Sequence, residues 1–219
     1  MSCSECFKGH SHDGQPTGEI QEMFGRPTYV TSPLDDKPVK GIIVIVPDAF
    51  GWEFVNNRLL ADQYALNGDF LVYLPDFMDL ELDMEAVWYF AQTIYGIAPF
   101  FYHNGLAASW PRIRSFFEAL RLHESPEQRI GAAGFCWGGK PVLTLAYPES
   151  ITEDGMPLVD AVFTGHPSGM SLPGDAEIVV YPRAGQGFCV QVDEKNDNLL
   201  QQSKEAEKQA LNWFATHFG

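Results

Sequence analysis

Gly134-Phe135-Cys136-Trp137-Gly138-Gly139 follows directly on the apolar run Ile130-Gly131-Ala132-Ala133. A strand that ends in Gly-x-Cys-x-Gly and passes at once into a helix has the form of a nucleophile elbow. Glycines two places before and two after the central residue leave the backbone room for a strained turn. The turn lifts one side chain, here a thiol, above the sheet at a helix N-terminus, a setting that favours the thiolate. A free cysteine is more commonly a buried, inert side chain. The elbow context makes Cys136 instead the candidate nucleophile, facing a pocket.

The rest of the chain alternates apolar runs with helical patterns. Gly41-Ile42-Ile43-Val44-Ile45-Val46 is continuous and β-branched, the form of a strand buried on both faces. Pro47-Asp48-Ala49-Phe50-Gly51 is the loop after it. Glu53 to Asn67 is expected to be a helix, with Asn67-Gly68 as its stop signal. Phe70 to Leu74 is the next strand, closed by Pro75-Asp76. Residues 83–101 are aromatic-rich and read as helical up to Pro99. Pro111 to Leu122 reads as a helix with Pro111 in its first turn. Ile130 to Gly134 is the elbow strand, and Gly138 to Tyr147 the helix behind it. Val159–Phe163 and Glu177–Tyr181 read as strands, and Ser203 to Phe218 as an amphipathic helix. This alternation predicts an α/β fold with a mostly parallel sheet covered on both faces. Residues 1–27 read as an N-terminal arm over the domain formed by 28–219.

One connection breaks the pattern. Residues 164–176 carry Gly165, Pro167, Gly169, Pro173 and Gly174 and show no helical period. Parallel crossovers usually run through a helix. A strand–helix unit is therefore expected to be missing before the last strand, and the sheet to be shortened.

Composition narrows the function. The formal charge is −15, from 29 acidic against 14 basic residues, which argues against nucleic acid and anionic membranes as partners. No apolar stretch approaches the roughly 20 residues of a membrane span. Four cysteines in 219 residues make no disulfide framework. The expectation is a cytoplasmic protein handling a small molecule. A shortened sheet leaves an edge at which two copies could pair as a homodimer.

These segments resemble the dienelactone hydrolase family, a branch of the α/β-hydrolase fold with a cysteine nucleophile. The elbow carries the resemblance. So do Pro47-Asp48-Ala49-Phe50-Gly51, Asn57-Arg58, Ala61-Asp62, Tyr73-Leu74-Pro75-Asp76 and Gly165-His166-Pro167-Ser168. The opening Cys3-x-x-Cys6-Phe7-x-Gly9, with Pro16-x-Gly18, is similar to fungal-type members in particular. The resemblance implies an α/β-hydrolase-like three-layer sandwich and a Cys–Asp–His triad. The family's histidine position reads Gln186, in Tyr181-Pro182-Arg183-Ala184-Gly185-Gln186-Gly187-Phe188. Its aspartate belongs to the strand–helix unit that is missing; Asp175 is the nearest carboxylate, in a different context. The triad is therefore expected to be degenerate.

The remaining candidates follow from the same frame. The resemblance places the oxyanion hole at the backbone N–H groups of Ala49 and Trp137, donors that survive side-chain substitution. Asp48 stands where the family has a glutamate interacting with the cysteine; it could equally be a loop aspartate bonding local amides. Gln186 cannot exchange protons near neutral pH but can hydrogen-bond. His166 follows a strand on the edge where α/β ligands bind; a structural role is preferred there to that of a substitute base. His103 and His123 are assigned nothing. Cys3, Cys6, His10 and His12 are metal-ligand types, but their spacing is too tight for a finger-like site, and no metal or cofactor is expected. The aromatic stretch from Trp88 to Tyr102 is part core, part pocket lining.

Three readings follow. The first is a hydrolase of small lactones, esters or related carbonyl compounds, acting through Cys136 with impaired turnover. The second is a non-hydrolytic cyclase or isomerase using the same pocket. The third is an inactive binding pseudoenzyme.

Overall fold

The computed structural model describes residues 12–34, 37–78, 103–167, 176–182, 184–193 and 195–219. Among them are six strands and four helices. In chain order they are β1 (Glu19–Met23), β2 (Arg26–Thr31), β3 (Ile42–Val46), α1 (Val55–Gly68), β4 (Leu71–Pro75), α2 (Leu106–His123), β5 (Ile130–Phe135), α3 (Gly139–Leu145), β6 (Ala161–Gly165) and α4 (Asp197–Phe218). The strands form one sheet in the order β1-β2-β4-β3-β5-β6. β4, β3, β5 and β6 run parallel, while β1 and β2 are antiparallel at one edge.

The β-branched run of β3 is buried at every residue. Its side chains alternate between two cores, as the two-residue period of a strand requires. Ile43 and Ile45 join Leu60 and Tyr64 of α1 and Phe214 of α4 on one face. Ile42, Val44 and Val46 join Ile113, Phe116 and Leu120 of α2 and Val142 of α3 on the other. Each such buried side chain contributes about 1.5–3 kcal/mol. The mostly parallel, three-layer α/β arrangement is thus the one expected.

The differences have local causes. β1 and β2 form a hairpin through Phe24 and Gly25, both at positive φ (51° and 77°), as a tight two-residue turn needs. The boundary drawn at residue 27 therefore falls inside β2, and residues 19–27 belong to the sheet. Upstream, Thr17 and Tyr29 both donate to the Asp62 carboxylate, fixing residues 17–18 against α1. α2 begins at Leu106, so Pro111 lies inside the helix rather than in its first turn. The proline removes one N–H near the helix start, and packing of Ile113, Phe116 and Leu120 outweighs that loss. α4 begins at Asp197, earlier than the apolar stripe suggests, because the Asn196 side chain caps it by accepting from the Leu199 N–H at 3.2 Å.

The expected strand at Glu177–Tyr181 is not one. Residues 176–181 join no ladder, and Ile178 and Val180 are 61% and 78% exposed. β-propensity alone does not make a strand; a neighbouring edge in register does. Among the described residues the sheet ends at β6. The aromatic stretch from Trp88 to Tyr102 lies outside the described residues, and so do Asp175, Cys3, Cys6 and His10.

Candidate active site

All six residues of β5 are buried, and the chain turns immediately after Phe135. Cys136 takes φ 49°, a left-handed value that a non-glycine residue adopts only where its surroundings enforce it. A single 3₁₀ turn over Cys136–Gly138 then leads into α3. The flanking glycines work by close approach, since neither needs a positive φ. A Cβ on Gly134 would overlap the Gly138 carbonyl, and one on Gly138 would overlap the Val46 carbonyl at the end of β3. Backbone packs on backbone here, and the strain is concentrated at Cys136, which is 7% exposed.

Asp48, in the loop after β3, is buried at 1% exposure. Its Oδ1 accepts from the Phe50 N–H at 3.1 Å and from Asn57 Nδ2 at 2.9 Å; its Oδ2 accepts from Gln191 Nε2 at 2.5 Å. Burial pushes its carboxyl above the ordinary carboxylate range, and negative charge on the nearby Cys136 adds to the push against these three donors. Asp48 thus lies beside the elbow with its carboxylate held by the local Phe50 N–H and Asn57 amide and by Gln191 from far along the chain. Gln191 had no sequence signal. Asn57 had one, its place nine residues after Asp48 on the helix that packs against this loop.

β6 lies beside β5 with Phe135 opposite Gly165. Cys136 and His166 therefore leave the sheet side by side, and His166 too is left-handed, with φ 41°. The Thr164 hydroxyl ties the two strand ends by donating to the Gly134 carbonyl at 2.9 Å. Gln186 Nε2 donates to the His166 carbonyl at 2.8 Å and contacts His166 Nδ1 at 3.2 Å. His166 Nε2 is buried with no hydrogen-bond partner. His166 and Gln186 thus form a hydrogen-bonded pair, and Asp48 stands near enough to Cys136 for their charges to interact.

Ala49 and Trp137, the two residues expected to supply oxyanion donors, pack in one small cluster with Met78. The Trp137 indole donates to the Asn104 carbonyl at 2.6 Å, anchoring the elbow to the start of α2. Cys189 is a different kind of thiol: burial drives its pKa far up, so it stays protonated. Among the described residues no group of three His, Cys, Asp or Glu side chains could hold a metal ion, and no helix is long and apolar enough to cross a membrane.

The family model described as "Dienelactone hydrolase family" matches residues 27–173. The chain belongs to the dienelactone hydrolase family. The matched stretch contains Asp48, Ala49, Cys136, Trp137 and His166, and ends before Gln186 and Gln191. Among relatives, the chain is similar to hydrolase pyvD of Aspergillus violaceofuscus (strain CBS 115571), 27% identical over 209 residues, covering 94% of this chain and 75% of that protein. It is 30% identical over 175 residues to dienlactone hydrolase 1 of Gibberella moniliformis (strain M3125 / FGSC 7600), covering 74% of this chain and 60% of that relative's length. A solved structure named m3DLH shares the fold, with a TM-score of 0.62 at 16% identity over 89% of this chain and 93% of its own. Membership in the dienelactone hydrolase family supports a hydrolase of that kind.

Proposed function

We propose that this dienelactone hydrolase-family protein cleaves a small ester or lactone through a covalent thioester on Cys136, with Asp48 in place of an imidazole as the group that takes and returns the proton. The observation that carries this reading is the pairing of a left-handed Cys136 at the elbow with a buried carboxylate whose pKa is raised by burial. A raised carboxylate accepts a thiol proton more readily than an ordinary one. In the forward step the thiol proton passes to Asp48 and the sulfur adds to the carbonyl carbon. The resulting oxyanion is held by the N–H groups of Ala49 and Trp137. Collapse expels the alcohol oxygen, which takes the proton back from Asp48, and leaves the acyl group on Cys136.

Hydrolysis of that thioester is the slow half. Water needs a base aimed at it: Gln186 is an amide engaged with His166, which leaves the same buried Asp48 to serve water as well as the thiol. Acylation is therefore expected to outrun deacylation. The test is mass spectrometry of the protein after a pulse of p-nitrophenyl acetate. An acetyl group on Cys136 that forms within minutes and decays over a longer time supports the reading. A Cys136 that stays unmodified, or a Cys136→Ala variant that keeps its activity on esters, removes it in favour of chemistry without a covalent intermediate.

A further inference from the structure

Beyond β6 the structure holds a cavity of about 410 Å³ that does not include Cys136 among its walls. One wall is the outer edge of β6 from Val162 to Gly165, continuing into His166 and Pro167; another is the stretch 176–181. Ala206, Gln209 and Trp213 of α4 complete it. The volume lies in the range of pockets that take small organic ligands. It occupies the place that a further strand beside β6 would fill.

Two of its wall residues carry buried polar atoms without partners, His166 Nε2 and Trp213 Nε1. Buried polar atoms are nearly always satisfied, so two orphans around one cavity ask what satisfies them. Both are donors. The indole nitrogen can only donate. For His166, the Gln186 amide is oriented by its bond to the His166 carbonyl at 2.8 Å, so the Nε2 of Gln186 also donates to His166 Nδ1 at 3.2 Å. That bond assigns the hydrogen of His166 to its Nε2. The missing partners are therefore acceptors.

Charge and shape restrict the ligand further. Glu177 brings a carboxylate to the wall, so a carboxylate or phosphate ligand would meet like charge there. Aromatic rings line one side: Tyr181 and Phe188 have centroids 5.3 Å apart, and Phe188 lies 6.0 Å from His166. Such a wall suits a flat apolar body. We infer that the cavity between β6 and residues 176–181 is a binding site for a neutral, planar, largely apolar molecule bearing a carbonyl oxygen, separate from the chemistry at Cys136.

The neutral ketone 6-propionyl-2-(dimethylamino)naphthalene tests this, because its emission shifts to the blue when it leaves water and it carries no ester for Cys136 to cleave. The full chain should bind it saturably. 2-Acetylnaphthalene should displace it, whereas 2-naphthoate, the anionic isostere, should be at least about tenfold weaker. Trp213→Phe, which keeps a ring and deletes the donor, should weaken binding by about tenfold, the size of one buried hydrogen bond. Cys136→Ala should leave it unchanged. In the unsubstituted protein, the Trp213 indole N–H resonance should move on binding, a readout that does not depend on any variant folding. Absence of saturable binding, equal displacement by the ketone and the naphthoate, loss of binding in Cys136→Ala, or an unmoved Trp213 resonance would each overturn the assignment.

Discussion

Gln186 holds His166 by two contacts from one amide nitrogen, to the carbonyl at 2.8 Å and to Nδ1 at 3.2 Å. Gln186, which the resemblance sets at the family's histidine position, is thus engaged with the histidine after β6. Asp48, whose charge interacts with that of Cys136, has its carboxylate held by the Asn57 and Gln191 amides and one backbone N–H. Asp48, Cys136 and His166 follow the C-terminal ends of the parallel strands β3, β5 and β6, where open α/β sheets place their ligands.

Gln186→His should not restore rapid turnover. An imidazole there would meet His166, and a base works well only when a third group fixes its tautomer and direction. Asp48 cannot also serve as that third group, because in the proposed mechanism it is the acceptor for the Cys136 proton and is already held by Asn57, Gln191 and Phe50. Steady-state hydrolysis of p-nitrophenyl acetate should rise less than about tenfold in the variant, against the roughly 10⁴-fold that a properly oriented base is worth. A gain near the larger figure would mean that another carboxylate already stands behind residue 186.

Asp48 should make the fold less stable as pH rises from acid towards neutral. Its folded pKa is raised, so the folded state binds a proton that the unfolded chain has already released. Stability from this group is fully present below about 3.9, the ordinary aspartate value, and is lost as pH climbs from there through the raised folded value. Asp48→Asn should flatten that part of the profile in urea unfolding between pH 4 and pH 7. The same change should slow thioester formation on Cys136 by at least about 100-fold, the usual scale of general-base loss. In the unsubstituted protein, thioester formation should fall as pH drops and Asp48 takes up its proton.

Much of this was legible in the sequence, and the limits have physical causes. The β3 run and the elbow glycines announced themselves because a strand buried on both faces and a backbone-on-backbone approach each tolerate few residue types. Glu177–Tyr181 misled because Ile178, Val179 and Val180 have the composition of a core strand, whereas none of the described strands pairs with them. Gln191 was invisible because it reaches Asp48 across 143 positions through a side-chain amide, a contact that leaves no periodic trace. The partnership of Gln186 with His166 was hidden for the same reason.

Gly138→Ala should disable the elbow without touching any reactive group. The added methyl would overlap the backbone carbonyl of Val46 and crowd that of Pro47, and neither can move without shifting β3. Overpacking against fixed backbone costs about 1–3 kcal/mol. The variant should lose that much stability in urea unfolding, and its acetylation at Cys136 should fall with it, since Ala49 and Trp137 are held by the same strand end and turn. Gly25→Ala is the contrast: nothing lies within 4 Å of a Cβ there, so its cost comes only from the positive φ of 77°.

Asp160→Asn should be among the most destabilising single changes away from the site, and its pH signature should separate it from Asp48. Arg121 is only 4% exposed, and its guanidinium donates to Asp160 Oδ2 at 2.7 Å. The same oxygen accepts the Ile130 N–H at 2.9 Å, and Oδ1 takes Arg129 at 3.0 Å, so one carboxylate ties α2 to the start of the elbow strand. Burial works against its charge, but Arg121, the Ile130 amide and Arg129 prevail and hold the carboxyl below its ordinary range. A depressed folded pKa gives stability that is present above about 3.9 and is lost as pH falls through the folded value. That window lies on the acid side of the one set by Asp48, so the two groups act on separate limbs of the profile. Removing the charge strands Arg121 in the interior, a change that typically costs about 3–5 kcal/mol, with the lower end expected here because Asp160 keeps 19% of its side chain in solvent. Urea unfolding of Asp160→Asn should show that loss at neutral pH and little further loss below pH 4, where the unsubstituted protein declines. A variant as stable as its parent at neutral pH would mean that Gln128, whose carbonyl accepts from Arg121 at 2.9 Å, suffices to hold the buried guanidinium.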